Sequence, residues 1–87
     1  MSFLSRLTKA KFDDSEIVSR AMKAIEEDPI VENAGQVVIA SKDGVVTLTG
    51  AASTETAKAH IESVVLSAIR MSGLKCGEVV NEITVSQ

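Results

Sequence analysis

Residues 42–50 read Lys42-Asp43-Gly44-Val45-Val46-Thr47-Leu48-Thr49-Gly50. Asp-Gly is among the strongest short-range hairpin signals. A two-residue turn of the right twist needs positive φ at both positions, which Gly adopts freely and Asp tolerates. After the turn, Val46 and Leu48 alternate with Val45, Thr47 and Thr49, so one face is apolar and the other more polar. That period of two marks a strand in a sheet covered on one side. Before the turn, Val37-Val38-Ile39 is a β-branched run. The two runs are expected to form strands over 36–41 and 45–50, joined as a β-hairpin.

Upstream of the hairpin, Asp13-Asp14-Ser15-Glu16 reads as a helix start, with Asp13 and Glu16 at capping-box spacing. Ile17, Val18, Ala21, Met22 and Ile25 then form one apolar stripe. Glu26, Glu27 and Asp28 oppose the helix dipole at the far end, and Pro29 does not continue the helix, which is expected to stop near Glu27. In the connector 28–35, Ile30, Val31 and Ala34 are expected to tuck toward the core.

Downstream, Ser53 or Thr54 caps a second helix with the stripe Ala57, Ile61, Val64, Val65, Ala68 and Ile69, stopping at Ser72-Gly73. A last strand is expected over 79–85, with Val79, Asn81, Ile83 and Val85 on one face and Val80, Glu82 and Thr84 on the other. The fold class is therefore α+β in the order αββαβ. A three-stranded mixed sheet would carry both helices on one face. A short basic amphipathic arm, residues 1–12, precedes a single domain, residues 13–87.

The chain has 87 residues, enough for one small core. It has one cysteine, Cys76, and one histidine, His60, which excludes an internal disulfide, a multi-cysteine zinc site and a two-histidine metal centre. The only aromatics are Phe3 and Phe12, so residues 13–87 offer no platform for stacking bases. The net charge of −3 is unevenly spread. Residues 1–12 carry Arg6, Lys9 and Lys11 and no acid, whereas residues 13–87 carry six bases and twelve acids. The body should repel nucleic acid, and the arm should be drawn to anionic surfaces. No apolar signal-peptide core is visible, so a cytoplasmic location is expected, peripheral to the inner membrane.

No catalytic constellation is legible. His60 precedes the core residue Ile61 with no Ser or Cys at a recognisable spacing, and reads as a rim histidine. Cys76, between Lys75 and Gly77, reads as a small residue in a turn or at the start of a strand. The acids Glu26, Glu27, Asp28 and Glu32 could meet a hard cation but lack a calcium-loop pattern, and read as a solvated helix end. Gly73 and Gly77 match no phosphate-binding loop. In the arm, Phe3, Leu7 and Ala10 fall at helical spacing with Leu4 beside them. That pattern, with Arg6, Lys9 and Lys11, suits a membrane-surface or partner-docking helix. The bland reading is a frayed terminus, or an arm packed on its own domain.

The hairpin resembles the central signature of the BON (bacterial OsmY and nodulation) domain family, a strand pair with an "nGvVtLtG" core. Asp14 through Pro29 looks like that family's first helix, Ala57 and Ile61 fit its second, and Val80-Asn81-Glu82-Ile83-Thr84-Val85 resembles its closing strand. The likeness spans about residues 13–86. The segment Gly73–Glu78 is longer than the family's usual link into that strand. The resemblance implies an αββαβ fold and a non-catalytic module without cofactors, attached to phospholipid membrane surfaces in envelope or stress settings. A branch of the family implies potassium-type cation binding instead. Gly44 and Gly50 read as structural, a turn and a strand exit that need small or positive-φ residues.

The leading expectation is peripheral association with an anionic membrane. Phe3, Leu4 and Leu7 would insert, and Arg6, Lys9 and Lys11 would steer. The first alternative is a protein-interaction or self-assembly module, a homo-oligomer meeting through the arm or through a sheet face bearing Val45 and Val80. The second is a cation sensor using the acids near 26–32.

Overall fold

The computed structural model describes residues 12–31 and 33–85. Its elements are α1 (Asp14–Glu27), a 3-10 turn (Ala34–Gln36), β1 (Val37–Lys42), β2 (Val45–Ala52), α2 (Glu55–Met71), β3 (Glu78–Asn81) and β4 (Thr84–Val85). This is the expected α+β order, with the last strand delivered in two pieces.

Both helices begin where local chemistry dictates. The Asp13 carboxylate accepts the Glu16 N–H at 3.2 Å, and the Thr54 hydroxyl accepts the Ala57 N–H at 3.0 Å. Each satisfies a donor that the first helical turn leaves without a partner. Arg70 lies in the last turn of α2 and complements its dipole, while α1 has no base there. Gly73 follows α2 with a φ of 73°, the left-handed residue that commonly ends a helix.

β2 is the central strand. It pairs antiparallel with β1, Val37 opposite Gly50 and Lys42 opposite Val45, around the two-residue turn Asp43-Gly44. Asp43 (φ 52°) and Gly44 (φ 84°) are both left-handed, as the tight hairpin turn demands. On its other side β2 pairs parallel with β3 and β4 in one continuous register, Val45 opposite Glu78 and Ala51 opposite Thr84. The break at Glu82-Ile83 has a side-chain cause. Asn81 turns inward, its side-chain amide donating to the Lys58 carbonyl at 3.1 Å and the Glu62 carboxylate at 3.0 Å, while its side-chain Oδ1 accepts the Ile83 N–H at 3.2 Å. The sheet is therefore three strands wide, with its third strand split, rather than three continuous strands.

The core lies between the sheet and the two helices. Ile17, Ala21 and Ile25 from α1 and Ile61, Val65 and Ile69 from α2 repeat every four residues. They meet Val37, Ile39, Val46, Leu48 and Ile83 from the sheet. The helices also pack on each other. Alternation sends Val38, Ala40, Val45, Thr47, Thr49 and Val80 to the opposite face. There Val38 is 59% exposed and Val45 39%, and neither described helix covers that face. Val31 and Ala34 pack against the core as expected. Ile30 does not. It is 66% exposed, because Asp28 captures its N–H at 2.8 Å and turns the chain outward.

Candidate functional site

The expected contact residues Phe3, Leu4, Arg6, Leu7, Lys9 and Lys11 lie outside the described residues. The structure does show where that segment joins the body. Phe12, the last residue of the expected arm, is part of the packed domain. Its ring lies so close over Gly44 that any Cβ there would overlap it, and it reaches the neighbourhood of Gly77. Phe12 therefore sits at the hairpin-turn end of the sheet.

That end is tied by a cluster that sequence spacing does not reveal. The Asp14 carboxylate, at the first helical position of α1, accepts the Ser41 hydroxyl at 2.6 Å and the N–H groups of Asp43 at 2.8 Å and Gly44 at 3.1 Å. The Ser41 hydroxyl above all, then the Gly44 N–H, hold this carboxyl below the usual carboxylate range; desolvation opposes them, and the Asp43 N–H adds a smaller lowering effect. On the other side of the turn the Gly44 carbonyl accepts the N–H groups of Gly77 at 2.8 Å and Glu78 at 3.2 Å. The Cys76 thiol lies 3.6 Å from that carbonyl and from the Glu78 carbonyl. One turn thus fastens α1, the hairpin and the start of β3. Only the Asp-Gly pair was legible beforehand.

At the opposite end of the sheet is a cleft of about 360 Å³. Ala51, Ala52, Ala57 and Ile61 contribute apolar lining, Ile30 and Val31 flank it, and Ser53, Thr54, Thr56, Asn33 and His60 supply polar groups. His60, the expected rim histidine, sits here and pairs with Asp28, Nε2 to Oδ1 at 3.2 Å. The Asp28 carboxyl is held below its usual range first by the Ile30 N–H and then by His60, with desolvation opposing. Cys76 lines a separate hollow with Leu66, Ile69, Arg70 and Val79. The imidazole and the thiol are therefore not brought together.

Of the acids near 26–32, Glu32 lies outside the described residues, and Glu26, Glu27 and Asp28 are not gathered into a cage. Asp28 is engaged by Ile30 and His60, and among the described residues no three of His, Cys, Asp and Glu converge as metal ligands. Among the described residues no helix is long and apolar enough to cross a membrane. The glycines Gly44 and Gly50 both have positive φ, 84° and 127°. Gly50 lies inside β2 rather than at its exit, opposite Val37 and pressed against the Gln36 carbonyl.

No family model and no curated protein matches the chain.

Proposed function

We propose that the chain is a BON-like, non-catalytic binding module that associates peripherally with an anionic phospholipid surface through its N-terminal arm. The observation that carries this reading is the segregation of charge and apolar side chains. Residues 1–12 hold Phe3, Leu4, Leu7, Arg6, Lys9 and Lys11 without an acid, ahead of a body with twelve acids and six bases. The acidic body is repelled by a negative surface and the arm is attracted, so the molecule meets it arm first. At about 1 kcal/mol per base near an anionic leaflet, three bases supply weak binding that salt reverses, and inserted Phe and Leu side chains add the rest. The hairpin signature and the αββαβ order support the BON-like part of the reading. On this reading the protein works at the cytoplasmic face of the inner membrane.

The test is co-flotation of the full chain with phosphatidylserine-containing and with neutral phosphatidylcholine vesicles. Flotation with the anionic vesicles alone is expected. It should be lost in added salt, in an Arg6→Gln/Lys9→Gln/Lys11→Gln variant and in a Leu4→Ser/Leu7→Ser variant. If the unaltered chain floats with neither vesicle at low salt, the membrane reading falls. The exposed sheet face bearing Val38 and Val45 then favours a protein-interaction or self-assembly module, checked by the concentration dependence of mass in light scattering.

A further inference from the structure

The cleft beside His60 has no part in the membrane reading. It measures about 360 Å³, within the roughly 300–1,000 Å³ of small-molecule sites. Small residues create it. Ala51 and Ala52 end β2, Ala57 lies in the first turn of α2, and each side chain stops at a methyl group. We propose that this cleft binds an uncharged two-ring heteroaromatic molecule of purine or indole size. Its ring face would lie on the aliphatic lining and its edge would bond to the polar groups. The inference goes beyond the membrane reading and does not rest on it.

Three observations select that chemistry. The first is size. A cavity of about 150 Å³ holds one benzene ring, so a cleft of about 360 Å³ holds two fused rings. The second is that the site is held in shape. Ile30 is 66% exposed, yet it stands at the cleft with its N–H bonded to the Asp28 Oδ1 at 2.8 Å. The His60 Nε2 meets the same oxygen at 3.2 Å. One carboxylate oxygen thus fixes Ile30 on the connector and His60 on α2, two lining residues distant in sequence. A site whose lining is locked by such bonds loses little freedom when it fills. The third is the kind of polar group present. Because the Asp28 carboxylate accepts, Nε2 carries the imidazole proton, and neutral His60 keeps Nδ1 as an acceptor. The Ser53 and Thr56 hydroxyls both donate and accept, as does the Asn33 amide. Such groups match the N–H and ring-nitrogen edge of a heterocycle. Among the described lining residues none carries a fixed charge. The twelve acids and six bases of residues 13–87 repel an anion, and the Asp28 carboxylate is already bonded to His60.

The test is a titration of the lipid-free full chain followed by proton–nitrogen correlation NMR. The probes are adenine and indole, which are uncharged, and indole-3-acetate and tryptamine, which put a negative or a positive charge on the indole ring. Adenine and indole are expected to shift the Ala52, Ala57 and His60 amides saturably, with a Kd on the order of 1 mM or tighter. Each charged probe should bind at least about fivefold more weakly than indole, because an unpaired charge resists leaving water. Ala57→Leu fills the cleft and should weaken adenine at least about tenfold. Ser53→Ala/Thr56→Ala, at two exposed positions, should weaken it about threefold or more. Met71→Ala, at the far end of α2, should leave binding unchanged. If melting curves show that Ala57→Leu does not fold, the exposed double variant decides. The inference is overturned if neither uncharged probe saturates, or if the shifts centre on the hollow beside Cys76. It is equally overturned if a charged probe binds more tightly than indole, or if folded Ala57→Leu or the double variant binds adenine as well as the unaltered chain. Failure of vesicle flotation leaves this titration unaffected, so the two readings fall separately.

Discussion

Gly50 gives the sharpest test of the packing described above. It lies in the middle of β2 with a φ of 127°, a conformation that is nearly closed to residues with a Cβ. A methyl at that position would run into the Gln36 carbonyl oxygen, and would sit 3.1 Å from the Gln36 carbonyl carbon and from the Val37 Cα. All three are backbone atoms, so no side-chain rotation relieves the clash. The strained φ costs about 1–3 kcal/mol. Displacing the start of β1 costs about 1–3 kcal/mol more, the usual range for overpacking. Gly50→Ala should therefore lose about 2–6 kcal/mol, a large part of the 5–15 kcal/mol typical of a whole domain. Tm should fall by about 10 °C or more, at roughly 4–8 °C per kcal/mol for a chain of this size. Two other glycines separate the contributions. Gly73 has a φ of 73° with open space around it, so Gly73→Ala reads the backbone conformation alone, about 1–2 kcal/mol. Gly35 has neither a positive φ nor a close neighbour, and Gly35→Ala should gain up to about 1 kcal/mol by restricting the unfolded chain. The assay is urea unfolding of the four proteins at one pH, comparing midpoints at constant slope. If Gly50→Ala loses no more than Gly73→Ala, the close approach of Gln36 to β2 is wrong, and with it the register that places Val37 opposite Gly50.

Asp14→Asn keeps the shape of the side chain but removes one of the two oxygens that accept from Ser41, Asp43 and Gly44, and should destabilise the fold at neutral pH. Because these bonds lower the Asp14 pKa in the folded state, their linked stability is present above the unfolded pKa and lost as pH falls through the folded one. Urea midpoints followed into acid should fall less steeply for the variant than for the unaltered chain, and equal slopes would refute the assignment. His60→Ala should raise the Asp28 pKa only part of the way back to its usual value, since the Ile30 N–H is the larger cause and remains; carboxyl NMR titration reads this directly. Leu48→Ala, in the fully buried centre of β2, should cost about 2–5 kcal/mol. Met71→Ala, 86% exposed at the end of α2, should stay within about 0.5 kcal/mol in the same denaturation assay.

Much of the fold was legible because its determinants are close in sequence. The stripe Ile17, Ala21, Ile25 and the stripe Ile61, Val65, Ile69 repeat within one helix each, and the caps Asp13 and Thr54 act over three residues. The Asp43-Gly44 turn carries its own conformational requirement. These terms act within a few bonds of the residues that cause them, so spacing alone exposes them. The strand limits were less secure. β2 was expected to end at Gly50 but continues to Ala52, because the distant pair Thr84-Val85 supplies a second set of partners.

What tertiary structure alone decided are contacts between residues remote in the chain. Asp14 reaches Ser41 across 27 residues and His60 reaches Asp28 across 32, and no periodicity encodes either separation. The outward turn of Ile30 follows from Asp28 taking its N–H, a local competition that hydrophobicity hides. The split of the third strand follows from Asn81 bonding to α2, which depends on where α2 docks. Composition and pattern were sufficient for the elements, their order and the opposed charges of arm and body, because burial and charge are properties of residue types. Docking sets which backbone groups face which side chains. For that reason the clasp at Gly44, the cleft beside His60 and the sheet face that no described helix covers came only with the assembled structure.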